Sequence, residues 1–166
     1  MPVPSTRLEI PIFSSWYDFM NSLLPPERGV RIAAELGFEA VAMCDPNLHG
    51  AVEFFEAAKS AGIRPLLGAR TVSKGREQLL FVENAEGYRN LCALLSEPET
   101  RRSGQELAGL FPIDAEGVPV FRMEKKSDAT ALRIVRSIRT GTLLNARHPL
   151  KNDARPASFD GGIRFF

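Results

Sequence analysis

The chain has 166 residues, a formal net charge of +1, 44% apolar residues and 25% charged residues, which suits one globular domain with its own core. No apolar run approaches the roughly 20 residues that a bilayer-spanning helix needs. Met1 to Arg7 has no apolar stretch behind it that would read as a signal peptide, so a cytoplasmic protein with no membrane partner is expected. Cys44 and Cys92 both sit inside apolar segments and read as buried free thiols rather than a disulfide or a metal pair. The charge is unevenly spread: residues 1–100 carry 9 Lys/Arg against 13 Asp/Glu, and residues 101–166 carry 12 against 7. A basic C-terminal third could touch phosphate, although a solvated basic face accounts for the same count.

Leu8 to Phe13 is an extended candidate in which Pro11 argues for an edge or a strand start. A turn over Asn21 to Pro26 leads into a helix whose first turn tolerates Pro25 and Pro26. Its apolar stripe is Val30, Ala33, Ala34 and Leu36, and Gly37 ends it. Glu39 to Cys44 reads as a buried strand, with Asp45-Pro46-Asn47 as the loop at its C-terminal end. Ala51 to Ser60 is a second helix with Ala51, Phe54, Phe55 and Ala58 on one face, stopped by Gly62. Ile63 to Leu67 and Leu79 to Val82 are strands either side of a turn at Ser73-Lys74-Gly75-Arg76. Asn84 is placed to cap a third helix carrying Tyr88, Leu91, Cys92 and Leu95.

The second half is less patterned. Glu97 to Gly104 is a polar loop and Gly117 to Phe121 a strand interrupted by Pro119. Asp128 to Arg139 is a helix with Asp128 as its cap, an apolar face of Ala131, Ile134, Val135 and Ile138, and Arg133, Arg136 and Arg139 on another side. From Leu143 onward there is little periodicity. The expected organisation is one domain over residues 1–142 and an irregular tail over 143–166. Short apolar strands alternating with amphipathic helices imply an α/β fold with mainly parallel strands, whose site lies at the strands' C-terminal ends. Asp45 and Arg70 fall there. Phe54, Phe55, Phe81 and Tyr88 are aromatic enough to stack on bases, but their spacing favours core packing. Trp16 and Tyr17 lie in a loop near the same strand ends.

The stretch AAELGFEAVAMCDPNLHGAVEFFEAAKSAGIRPLLG, Ala33 to Gly68, resembles the PHP domain of bacterial DNA polymerase III α subunits of the DnaE type. In that family a helix ending AAELG leads to a strand ending Thr-Asp-His, and a loop ending Asn-Leu-x-Gly follows. A helix of the VEFYKAAKxAG kind and a strand of the IKPIIGCE kind come next. FVENAEGYRNLCALLSEP, Phe81 to Pro98, resembles the strand and GYRNL helix that follow them. ALRIVRSIRTGTLLN, Ala131 to Asn145, is similar to a segment near the end of the family's domain, which leaves the intervening region much shortened. The resemblance implies a distorted TIM-like barrel. A full barrel takes roughly 200 residues or more, so here it must be incomplete, trimmed or completed by something else.

The family's chemistry needs a cluster of His, Asp and Glu around divalent metals that acidify a water and clamp a phosphate. The family's first motif is His-x-His before an aromatic. With Tyr17 as that aromatic, Ile12 and Ser14 stand at the histidine positions. Asp45 stands at the aspartate of the Asp-His motif and Pro46 at its histidine. Arg70 replaces the glutamate after Gly-Cys. His49 lies in Asn47-Leu48-His49-Gly50, at a position that varies in the family and is not usually a ligand, and His148 sits in a Pro-rich tail with no acid at ligand spacing. One aspartate facing an arginine cannot hold a multinuclear centre, so no metal and no cofactor is expected, and Arg70 is expected either to pair with Asp45 or to stand exposed. No P-loop, GxSxG, HExxH or Rossmann glycine pattern occurs, nor do recognisable polymerase catalytic aspartates.

The resulting expectation is a non-catalytic PHP-like domain with a structural or interaction role in DNA replication or translesion synthesis. Its partners would be polymerase or replisome proteins, and Arg133, Arg136 and Arg139 are candidate phosphate or partner contacts. The alternatives are an active metal-dependent phosphoesterase or 3′–5′ exonuclease of the same family, and a stand-alone remnant or fragment, which the trimmed middle and the Phe165-Phe166 end would fit. Oligomeric state and DNA contact are not legible.

Overall fold

The computed structural model describes residues 8–97, 107–125, 127–141, 153–154 and 163–165. The element order is β1 (Leu8–Ile10), β2 (Ile12–Phe13), α1 (Pro26–Glu35), β3 (Ala40–Asp45), α2 (Ala51–Ala61), β4 (Arg64–Ser73), β5 (Arg76–Val82), α3 (Ala85–Ser96), β6 (Leu110–Asp114), β7 (Val120–Phe121), α4 (Asp128–Thr140), β8 (Asp153–Ala154) and β9 (Ile163–Phe165). Seven strands form one sheet in the order β6-β5-β4-β3-β2-β7-β8, while β1 and β9 pair separately. The β4-β3-β2-β7-β8 run is parallel, and β5 and β6 add antiparallel strands at one side. This is the expected α/β architecture with mainly parallel strands. Among the described residues β6 and β8 do not pair with each other, so the sheet is not closed into a full barrel.

β3 is buried at all six positions, as a central parallel strand covered on both faces must be. Val41 and Met43 pack with Phe13, Leu67 and Phe121 under Val30 and Ala33 of α1 and Phe54 and Ala58 of α2. On the other face Ala40, Ala42 and Cys44 meet Ile10, Ile12, Leu79, Phe81 and Val120. The small side chains of β3 on this face leave room for the Phe81 ring. A third cluster seats Leu91 and Leu94 of α3 on Ala69, Leu80 and Leu110. Phe54 and Phe81 are core residues, whereas Phe55 and Tyr88 are each 45% exposed and line an apolar groove of about 550 Å³ between α2 and α3 with Val52, Pro65 and Val82. Cys44 and Cys92 are free, Cys44 buried and Cys92 half-buried. No described helix is long and apolar enough to cross a membrane.

Local chemistry explains most boundaries. Pro26 opens α1, Gly62 ends α2 in the left-handed conformation, and the Asn84 side chain accepts from the Gly87 amide at 2.9 Å to cap α3. Lys74 and Gly75 both have positive φ, 50° and 78°, the requirement of a tight hairpin turn compatible with strand twist. That hairpin carries β4 to Ser73, beyond the expected end at Leu67, because Arg70 to Ser73 pair with Arg76 to Leu79. β6, which contains Pro112, was not expected. It lies at the sheet edge, where the missing N–H is not needed.

The reading of α4 needs correction. Its N-cap is Ser127 rather than Asp128, and no side chain caps it; the Asp128 carboxylate instead accepts from the Lys125 amide. Its buried residues are Leu132 and Ser137, while Ile134 and Ile138 are 39% and 62% exposed. The inward side is Leu132, Val135, Arg136 and Ser137, and Arg139 stands at its exposed border, because the two arginines answer polar groups described below. The expected tail over 143–166 lies mostly outside the described residues, yet two short strands within it join the body: β8 beside β7 and β9 antiparallel to β1. The 98–104 part of the expected polar loop also lies outside them.

Gly87 approaches the 107–110 turn so closely that a Cβ there would sit 1.7 Å from the Gly109 carbonyl oxygen. Gly87→Ala is therefore expected to destabilise the fold by about 1–3 kcal/mol, read as a lower urea midpoint at unchanged slope. An unaltered midpoint would mean that α3 shifts freely on the sheet.

Candidate functional site

The loop from Ser14 to Pro25 crosses the C-terminal ends of β2, β3 and β4. It is unusual in being buried at polar positions: Ser14, Ser15 and Asp18 are each 0% exposed and Ser22 5%. Asp45, the last residue of β3, is likewise 0% exposed. Two carboxylates are thus enclosed at the strand ends, where each must be matched by donors or cations.

Asp45 is held by the loop. The Ser15 amide donates to its Oδ1 at 2.6 Å, the Ser15 hydroxyl donates to Oδ2 in a short bond, and the Ser14 hydroxyl lies 2.9 Å from Oδ1. Burial pushes the Asp45 carboxyl up from its ordinary range, partly offset by the serine donors. The same Ser14 Oγ also lies 2.9 Å from Asp18 Oδ2. A hydroxyl has one proton, so it can serve both carboxylates fully only when one of them carries a proton of its own.

Asp18 is the centre of the ionic network. Its Oδ2 accepts from Arg70 Nη2 at 2.7 Å and from Asn21 Nδ2 at 2.7 Å. Its Oδ1 makes no hydrogen bond among the described residues but faces the Arg139 guanidinium, with Nη1 at 3.5 Å. Arg136 reaches the same loop, donating from Nε to Asn21 Oδ1 at 2.8 Å. Arg133 is exposed. Of the three helix arginines, then, two are drawn to the loop and one is not.

Neither expectation for Arg70 is met: it pairs with Asp18 rather than Asp45, and its side chain is only 15% exposed. The sheet register gives the reason. Asp45 stands opposite Ala69 across the β3–β4 ladder, and neighbours in such a ladder share a face. Arg70, one residue on, points to the other face. Asp18, Ser15 and Asn21 were not anticipated as site residues. An acid immediately after the aligned Tyr17 was the available signal, but nothing in its spacing showed that the loop folds inward.

Of the residues that the resemblance sets at ligand positions, Ile12 is core, Ser14 donates, Pro46 has no donor atom to offer from its ring, Arg70 is a cation, and Asp45 is occupied by three donors. His49 is exposed, its ring edge-on to Tyr17 at 6.4 Å between centroids; His148 lies outside the described residues. No group of three or more His, Cys, Asp or Glu side chains able to hold a metal occurs among the described residues. The described residues of this site do not fit a multinuclear metal centre. Beside them lies a polar cleft of about 460 Å³ lined by Asn21, Pro46, Arg70, Thr71, Glu77 and Arg139.

Two outcomes follow. Arg70→Ala leaves Asp18 enclosed with a weaker cation, so it should cost about 3 kcal/mol in chemical denaturation; Asp18→Asn combined with Arg70→Met should cost less than the two changes summed. The second concerns Asp45. A buried acid whose carboxyl is raised above the ordinary 3.8 holds its proton more tightly when folded. Its contribution is therefore fully present below that value and is lost as pH rises through the folded one. The stability of the wild type relative to Asp45→Asn should fall between acid and neutral pH, and a difference that stays flat, or rises, would refute this.

Residues 14–118 match the PHP domain family. Over 85 residues the chain is 40% identical to the DNA polymerase III subunit alpha of Mycoplasma pneumoniae, covering 49% of this chain and 10% of that protein. It is 32% identical over 105 residues to the error-prone DNA polymerase of Corynebacterium diphtheriae, covering 62% and 10%. The chain thus spans about a tenth of the length of these curated relatives. Among solved structures, an amidohydrolase from Chromobacterium violaceum aligns with TM-score 0.44 and 25% identity, covering 53% of this chain and 32% of that one. The family match takes in β3, α2, the β4–β5 hairpin, α3 and the loop that encloses Asp18 and Asp45, and on that extent the chain belongs to the PHP domain family, related to the N-terminal regions of DNA polymerase III α subunits and error-prone DNA polymerases.

Proposed function

We propose that this PHP domain is non-catalytic and serves a structural or interaction role in a replicative or translesion-polymerase context, with polymerase or replisome proteins as partners. One observation carries the reading: at the strand ends where the family's chemistry requires anionic and imidazole ligands, a guanidinium, Arg70, is bonded to a buried carboxylate, Asp18, at 2.7 Å. A fixed cation there repels a divalent metal and takes up the carboxylate that such an ion would need. Asp45 has its oxygens turned to Ser14 and Ser15 rather than toward an open coordination position. Without a metal-acidified water the site has no nucleophile for a phosphodiester. The polymerase context rests on the relatives; a cytoplasmic location would follow from it.

The test is metal content by elemental mass spectrometry after incubation with Zn²⁺ and Mn²⁺ and exhaustive dialysis, together with turnover of bis-p-nitrophenyl phosphate. The expected result is no retained metal and no turnover above buffer. Stoichiometric retained metal with metal-dependent turnover restores the phosphoesterase reading.

A further inference from the structure

Away from the strand-end site the molecule carries two apolar surfaces, one concave and one convex. The concave one is the groove between α2 and α3. Its floor is Pro65 and Leu67, in the first half of β4, with Val82 of β5, and its walls are Val52 and Phe55 of α2 and Tyr88 of α3. All three wall side chains are exposed. The charged side chain lining the groove is Glu56. The segments that form it, 51–56, 65–67 and 82–88, carry Glu53, Glu56, Glu83 and Glu86 and no Lys or Arg; Lys59, Arg64 and Arg89 stand outside them. Glu53 bonds the Tyr17 hydroxyl. The groove is thus apolar within and acidic at its rim.

The convex surface is the outer side of α4. Ala131, Ile134 and Ile138 lie there at i, i+3 and i+7 and are all exposed, with exposed Arg133 beside them. Single exposed apolar residues are ordinary, but two isoleucines one turn apart make a ridge of the kind that anchors a helix in a groove. The charges of the two surfaces are opposite. The groove belongs to residues 1–100, with 9 Lys/Arg against 13 Asp/Glu, and the ridge to residues 101–166, with 12 against 7. The ridge does not face its own groove. The other side of α4 is tied to the Ser14–Pro25 loop by Arg136 on Asn21 and Arg139 near Asp18, so Ile134 and Ile138 point away from the body that carries them.

We propose that copies of this chain associate head to tail, the Ile134–Ile138 ridge of one copy entering the α2–α3 groove of the next, with Arg133 against the glutamates at the groove's rim. Matched apolar shapes supply the attraction and the opposed charges set the orientation. Groove and ridge are different surfaces, so the contact is heterologous and generates chains or rings rather than an isologous pair. Neither surface contains a residue of the strand-end site, and the proposal stands whether or not that site is catalytic.

The experiment measures the weight-average mass of the full chain by sedimentation equilibrium, over about a hundredfold range of concentration reaching the millimolar. The wild type is expected to rise above the mass of one chain as concentration increases. Val52→Glu puts a charge in the groove and Ile138→Glu puts one on the ridge; each variant alone is expected to stay monomeric over the same range. Mixed in equal amounts, the two should form a dimer, because the first keeps an intact ridge and the second an intact groove. Arg133→Glu should weaken the wild-type association about tenfold. All three side chains are exposed, and circular dichroism checks that each variant is folded; Phe55→Ala and Ile134→Gln replace either blocking variant that is not. A wild type that stays monomeric throughout overturns the inference. So does self-association that survives either blocking substitution, which places the contact elsewhere, and so does a mixture of the two variants that remains monomeric. An Arg133→Glu chain that associates as strongly as the wild type refutes the charge match on which the choice of partner rests.

Discussion

A carboxylate with no exposed surface has to be neutralised where it stands, and the enclosure of Asp18 sets the geometry of one whole end of this molecule. The charge sits in the loop leaving β2 and is answered from β4 by Arg70, from its own loop by Asn21 and Ser14, and from α4 by Arg139. Three separate parts of the chain, the loop, β4 and α4, are therefore fixed relative to one another by a single ion. The cost of removing such a charge from water is several kcal/mol, which is more than the burial of two isoleucines returns when half of each would be covered anyway. That comparison accounts for α4. The helix could have presented Ala131, Ile134 and Ile138 inward, but it presents Leu132, Val135, Arg136 and Ser137, sets Arg139 at the border facing Asp18, and leaves Ile138 62% exposed.

The parts of the fold that were legible in the sequence are those decided within a few residues. Asn84 before a helical run caps it; Gly62 after one ends it; Lys74-Gly75 between two alternating runs turns the chain; the unbroken AVAMC of β3 has to be covered on both faces. What was not legible is decided by distant partners. α4 has two faces of equally good helical spacing, and the choice between them depends on a carboxylate more than a hundred positions away in sequence. β6 contains a proline that argues against a strand until its edge position is known. In the site, Asp45 ends β3, whereas Arg70 lies within β4 rather than beyond it, and its partner turned on the alternation of β4, and so on a register between two strands. Asp18 and Ser15, which do the holding, carry no spacing signature of their own.

Ser14 shows how the proposed loss of metal could be accommodated without leaving a void. It stands where the resemblance places an imidazole, and its hydroxyl lies 2.9 Å from both Asp18 and Asp45. A smaller group in that place lets the two acids approach, which is unfavourable while both are charged. Arg70 offsets the charge of Asp18 directly, and burial together with that neighbouring acid raises the Asp45 carboxyl. The raised proton affinity of Asp45 and the guanidinium at Asp18 are thus complementary answers to one electrostatic problem.

The replacement of exchangeable metal cations by side-chain cations changes what such a site can do, under the reading proposed here. A metal brings open coordination positions and a water made acidic by a double charge; a guanidinium brings neither, but it is permanently charged and permanently present. Its stabilising contribution does not depend on metal supply. The same exchange that removes a hydrolytic nucleophile therefore leaves a fixed ion pair in its place, Arg70 on Asp18.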